Sequence, residues 1–289
     1  MHRMCLYVVL ILFAQVFCPL EGLAQGQDNQ VNPIASLPWQ SGPATGQLGD
    51  VATVKVPANY RFVDSAGARK FLELLQNPTD GSELGVLVSP DKSWFVVFEF
   101  SADGYVKDDD RSLDADALLD SIRKGTEQAN ELRKRRGWGT INVDGWEQKP
   151  FYDSQTQNLT WAIRGRSEQS VSINHSTRLL GRRGVMKVNL VLSPDDLGNA
   201  LPEFKNVLSG VSFNPGQRYA EFQRGDKIAE YGLAGLVVGG TGVALMKTGL
   251  LQKFWKLLVL AGIAAAGVVK QVIAKLFGRS APADEPANV

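Results

Sequence analysis

The C-terminal stretch from Tyr231 to Lys275 constrains this chain more than any other. It reads YGLAGLVVGGTGVALM, then a basic joint KTGLLQKFWK, then LLVLAGIAAAGVV, then KQVIAK. Tyr231–Met246 is 16 residues without a charge, and Leu257–Val269 is 13. A membrane-spanning helix needs about 20 apolar residues, so each run is short by itself. Lys247, Lys256 and Lys270 flank the runs, and lysine stems lengthen a short span by carrying their ammonium groups to the interface. Tyr231 and Trp255 suit the interfacial belt. Gly235 and Gly239 are four apart, as are Gly262 and Ala266, a spacing that lets two helices approach closely. Residues 231–279 are therefore expected to form a membrane anchor, with a helical hairpin as the preferred arrangement. One span followed by an amphipathic helix is the alternative, and a helical segment inside a larger soluble core is a third. The last needs protein on every side of the helix, which the rest of the chain is small to supply. The segment from Tyr231 to Arg279 holds six Lys/Arg and no acid. The joint at Lys247–Lys256 fits the cytoplasmic turn of a hairpin, whereas Lys270, Lys275 and Arg279 fit a single span better.

The other end is also apolar. Arg3 makes a basic start, Cys5–Cys18 is apolar apart from Gln15, and Gly22-Leu23-Ala24 offers small residues before a cleavage point. Residues 1–24 read as a signal peptide, with an uncleaved anchor as the alternative. Both cysteines, Cys5 and Cys18, lie inside it. Once it is removed, the chain has no thiol for a disulfide, a nucleophile or a metal. Gln25–Gly46 is polar and punctuated by Pro33, Pro38 and Pro43, and reads as a linker.

Residues 47–213 are expected to form one periplasmic domain, large enough for a sizeable core. Leu48–Val56 alternates as a strand and Pro57 ends it. Asp64 or Ser65 caps a helix that runs to about Gln76. Leu84–Ser89 and Trp94–Ser101 are strands around a Ser-Pro-Asp-Lys turn; the second, WFVVFEF, is apolar on both faces apart from Glu99, as a central strand is. Asp114–Arg136 is an amphipathic helix with an acidic start and a basic end. The period then switches to two. Ile141–Glu147, Asn158–Ser167, Val171–Leu180 and Val185–Leu192 read as an antiparallel meander. Ser193-Pro194 opens a helix toward Leu208, and Val211–Phe213 is a last strand. The fold class is α+β: a largely antiparallel sheet with helices packed on one face, plus C-terminal transmembrane helices. Residues 214–230 read as a polar connector and 280–289 as a disordered tail.

Three stretches carry a family resemblance: GYVKDDD at Gly104–Asp110, TRLLGRRGVM at Thr177–Met186 and FNPGQRYAEF at Phe213–Phe222. With the C-terminal block, they resemble an uncharacterised bacterial family of predicted membrane-anchored proteins, known only as a domain of unknown function. The resemblance covers nearly all of the chain after residue 24. It implies a bacterial envelope protein and supports the anchor; with the leader and the C-terminal tether, the expected location is the inner membrane with the main domain in the periplasm. It implies no activity, substrate or catalytic residue.

Few side chains suggest chemistry. Asp108, Asp109 and Asp110 are the densest acidic cluster, but adjacent aspartates project in different directions and the D-x-D-x-D-G calcium pattern is absent. A solvated loop leading into a helix, with negative charge near its N-terminus, is the preferred reading. His175 is the only histidine beyond the leader, with Ser172 and Ser176 near it, yet no G-x-S-x-G elbow occurs. One histidine and no cysteine leave too few ligands for zinc, and no cofactor motif is present. Arg178, Arg182 and Arg183 mark a basic hairpin tip suited to an anionic partner or a lipid headgroup; Arg224 and Lys227 precede the anchor and suit headgroups as well. A net charge of +1 gives no argument for nucleic acid. The chain is thus expected to be a non-enzymatic interaction module with membrane lipid and an envelope protein as partners. The alternatives are a carboxylate-dependent envelope hydrolase, using His175 with Asp108–Asp110, and a helper subunit of an integral membrane complex.

Overall fold

Two strands set the architecture. β6 (Trp94–Ser101) and β10 (Val185–Leu192) lie side by side in the middle of an eight-stranded antiparallel sheet. Trp94 to Phe98 are all buried, and so is every residue of β10 except Lys187. Strands that are apolar on both faces need cover on both. The computed structural model, which describes residues 32–168 and 170–239, supplies it.

The sheet runs β1 (Gln40–Ser41), β4 (Arg61–Asp64), β5 (Glu83–Val88), β6, β10, β9 (Val171–Leu180), β8 (Asn158–Arg166), β7 (Asn142–Asp153). The meander that the period-two pattern predicts is there, from β7 to β10, and each neighbouring pair is antiparallel. A smaller sheet holds β2 (Ala44–Leu48), β3 (Ala52–Val56) and β11 (Val211–Phe213) in the order β11-β3-β2.

One face of the large sheet carries Phe62, Leu87, Phe98, Met186, Val188 and Leu190. The small sheet covers it through Leu48, Val54 and Val56, and α3 (Leu197–Ser209) through Ala200, Phe204 and Val207. The opposite face is covered in two places. α1 (Ser65–Leu74) lays Ala68, Phe71 and Leu72 on Val86, Phe95, Val97 and Val191. α2 (Ala115–Arg135) and α4 (Leu233–Val238) cover Leu159, Trp161, Ile163 and Val185. Helices therefore flank both faces, which corrects the expectation of helices on one face. Asp64 and Asp114 cap α1 and α2 by accepting from Gly67 and Ala117 backbone N–H groups, contacts worth about 1 kcal/mol each.

Two segments expected to be loose are ordered. Part of the Gln25–Gly46 linker forms β1 and the start of β2, and Trp39 sets its ring 5.9 Å from that of Phe71. The polar connector 214–230 is a strap laid back across the sheet. Asn214 N donates to Val51 O, Arg182 N to Gln217 O, Tyr105 N to Lys227 O, and Ala229 N to Tyr105 O, at 2.8–2.9 Å. The strap delivers Leu233, Leu236, Val237 and Val238 into the core as α4, which ends at Gly239 with φ +85°. The first residues of the expected anchor thus belong to the domain. Six residues rise about 9 Å, far below a bilayer's width. Among the described residues no helix is long and apolar enough to cross a membrane. The expected signal peptide 1–24, the remainder of the anchor with Lys247, Trp255, Lys256 and Lys270, and the tail 280–289 lie outside the described residues.

The close approach of the β9–β10 turn to the end of β6 depends on Gly184. A Cβ there would sit 2.1 Å from the Ser101 carbonyl oxygen. Gly184→Ala should lower the urea-unfolding free energy by about 3 kcal/mol, because backbone cannot give way as a side chain does. Gly139→Ala, which meets nothing within 4 Å, should leave it nearly unchanged.

Candidate functional site

A row of charge crosses the sheet between its two apolar patches. Glu83, Glu99, Lys187 and Arg178 stand directly opposite one another on β5, β6, β10 and β9. The order puts two carboxylates beside two cations. Asn189 Nδ2 donates to Glu99 Oε2 at 2.9 Å, and Arg178 Nη1 and Ser176 Oγ both donate to Asn189 Oδ1 at 3.0 Å. The Arg178 guanidinium also lies over the Trp161 ring, 4.6 Å from its centroid. Burial pushes the Glu99 carboxyl up, and Lys187 and Arg178 pull against it. Arg178, expected to face a partner, is instead committed to the interior. Carboxylate oxygens of Asp80, Glu83 and Glu99 lie within 4.8 Å of one another, but both Glu83 oxygens already accept backbone N–H bonds from Asp80 and Gly81. The row explains itself as structure.

The three aspartates do not act together. Asp108 Oδ2 accepts from the Tyr152 hydroxyl at 2.8 Å, and Oδ1 from the Tyr219 hydroxyl at 3.1 Å. Arg111 Nη2 is 3.3 Å from Oδ2. Burial pushes this carboxyl up, yet the two phenols and Arg111 outweigh it and hold it below the usual carboxylate range. Burial above all pushes both phenols up, helped by Asp108 at Tyr152 and by Tyr105 and then Asp108 at Tyr219, so they remain donors. Tyr219 stacks on Tyr105 at 4.4 Å, and Phe222 packs on the other ring at 4.3 Å. Asp109 and Asp110 are exposed, and Asp110 Oδ1 accepts from Ser112 N. Asp108 is therefore a tie between loop, sheet and strap.

His175 lies on the other side of the sheet. It stands opposite Ala162 and Leu190, with its ring 5.5 Å from Phe204 of α3. The Asp108 tie joins Tyr152, which shares the opposite face with Leu159 and Arg178. No carboxylate–histidine pair forms between them. Ser176 points away from His175 by strand alternation and donates to Asn189, so no serine–histidine pair forms there either. His175 and Thr177 instead line an open groove of ≈ 580 Å³ between β7–β9 and α3. Both are buried, and neither His175 Nδ1 nor Thr177 Oγ1 has a partner. Burial pulls the imidazole down to about 4, which leaves it neutral at neutral pH.

The basic hairpin splits. Arg182 Nε and Nη2 donate to the two Asp226 oxygens at 2.7 and 2.9 Å, and the side chains are only 11% and 17% exposed. It is spent on the strap. Arg183, Arg224 and Lys227 are exposed. Tyr231, expected at a membrane interface, is folded into the domain, where its hydroxyl donates to Asp103 and its ring packs against Gly235. Tyr152, Tyr219, Asp226 and Thr177 are not among the site residues expected from the sequence. Only Thr177 carried a local signal, through its shared strand face with His175.

The chain matches the family described as "Protein of unknown function (DUF2167)" over residues 40–271. It belongs to that family. The DUF2167 match runs from β1 through the strap and α4. No curated protein matches. Among solved structures, cyanobacterial PsbP (CyanoP) from Synechocystis sp. PCC 6803 is similar at 13% identity and a TM-score of 0.39, covering 61% of this chain and 92% of its own. The Saccharomyces cerevisiae Ran-binding protein Mog1p is similar at 8% identity and a TM-score of 0.29, covering 60% and 93%.

The Arg182–Asp226 pair gives a direct reading of the strap. The Arg182 bond is the largest influence on Asp226 and, with the Gln223 N–H, holds its carboxyl at about 2. A depressed carboxyl adds stability above its ordinary value and loses it as pH falls toward the folded value. Carbon-13 NMR titration should place Asp226 near 2 in the native chain, and Arg182→Gln should move it up toward the ordinary aspartate value.

Proposed function

We propose that this DUF2167 chain is a non-enzymatic interaction module held at a bacterial inner membrane, its sheet domain on the periplasmic side. The strap 214–230 is its membrane-facing surface. The observation that carries this reading is the strap's exposed composition. Phe222 and Ile228 are 37% and 44% exposed, the largest apolar side chains on this part of the surface. Arg224, Lys227 and, on the adjoining hairpin, Arg183 are exposed among them. Apolar side chains next to cations suit the acyl–headgroup boundary, and each Lys or Arg near an anionic surface contributes about 1 kcal/mol. The chain then continues into the apolar block after Tyr231.

The same arrangement supports binding an envelope protein through Asp109, Asp110 and Arg183, which are solvent-facing, rather than through Asp108, Arg178 and Arg182, which serve the fold. It speaks against a carboxylate hydrolase. Asp108 is engaged by two phenols, and His175 lies across the sheet from it.

A single reporter tests the membrane surface. Once the leader is removed, a cysteine at exposed Gln223 is the chain's one thiol. A polarity-sensitive fluorophore there, on the full chain in vesicles containing phosphatidylglycerol, should be quenched by brominated acyl chains. Arg224→Glu with Lys227→Glu should cut that quenching at least severalfold. A label that stays aqueous in the native chain removes the strap from the membrane.

A further inference from the structure

The groove between β7–β9 and α3 is built as a ligand site. Its floor is Thr177 and His175, two residues apart on one face of β9. Thr177 is fully buried and its Oγ1 has no partner; His175 is 8% exposed and its Nδ1 has none. A buried polar group left unpaired costs about 1–3 kcal/mol, and two side by side in one concavity point to something that pairs them.

The walls say what that something is. Phe151 on β7 is 61% exposed, the most exposed large apolar side chain among the described residues. Its ring edges the groove, with Leu201 and Phe204 of α3 also lining it. Gln148, Asn158 and Thr160 add neutral amides and a hydroxyl. The imidazole is neutral, and the lining charges are one of each sign, Asp153 and Lys205. Asp153 is spent on its own turn, accepting from Gln155 N and Thr156 Oγ1. Apart from these two opposite charges the lining is uncharged, and it calls for no net charge on a ligand. It offers aromatic surface to an apolar face and several uncharged hydrogen-bonding groups to hydroxyls. The volume of ≈ 580 Å³ lies within the usual 300–1,000 Å³ or so of small-molecule sites.

We propose that this groove binds a neutral saccharide, with a sugar face on Phe151 and sugar hydroxyls completing Thr177 Oγ1 and His175 Nδ1. The site is independent of the membrane-facing strap.

The test is an array of neutral and uronate- or sialate-bearing oligosaccharides, probed with the full-length protein in a sugar-free detergent. Neutral glycans should be retained. Phe151→Ala and Thr177→Val should each weaken that retention at least tenfold. Thr177→Val is near-isosteric and removes an unpaired hydroxyl, so its melting temperature should not fall, which separates lost binding from lost folding. Three results overturn the proposal: no neutral glycan retained, retention unchanged in both variants, or retention of acidic glycans only, which traces to exposed cations.

Discussion

Arg182 and Asp226 meet at two points, 44 residues apart in sequence, and that pair fixes where the chain leaves the sheet. A bidentate guanidinium–carboxylate contact is directional as well as attractive, so it sets the strap's register. The rest of the strap is consistent with that register. Tyr219 reaches Asp108, Tyr105 takes backbone bonds on both sides, and α4 drops its apolar residues onto Trp161 and Leu159. Phe222, Ile228, Arg224 and Lys227 are left outward by the same geometry.

Beneath the strap, the sheet solves a second problem. Its middle strands are apolar on both faces, yet a row of four charges crosses one of them. The row is tolerable because its signs are ordered and its buried members share hydrogen bonds through Asn189. Removing one member of such a set leaves a buried charge uncompensated, which costs more than the intact set contributes. The charges separate α1's apolar patch from that of α2 and α4, so helices can cover the face without merging into one cluster.

Much of this was legible in the sequence. Val171–Leu180, Val185–Leu192 and Val211–Phe213 keep their predicted limits, because strict alternation or a short apolar run between turn signals leaves little choice. The helix capped by Asp114 is equally local. The doubly apolar run at Trp94–Phe98 already implied cover on both sides, but an assignment of helices to one face needs knowledge of which strand each helix reaches. Partners distant in sequence were out of reach. Nothing near Arg182 indicates Asp226, and nothing near Asp108 indicates Tyr152 and Tyr219. For the groove, alternation puts His175 and Thr177 together and Ser176 opposite, but only the fold shows that both lack partners beside an exposed Phe151.

Hydrogen–deuterium exchange of the full-length protein, followed by mass spectrometry, tests the central claim that 214–238 is part of the folded domain. Backbone groups of Arg218, Ala229 and Gly235 are hydrogen-bonded or bridged, as are those of β9 and β10. Peptides covering the strap and α4 should therefore exchange on the slow timescale of β9–β10 peptides. Exchange at the rate of an open chain across 214–230, with β9 and β10 still protected, would contradict the account and return the segment to a free connector.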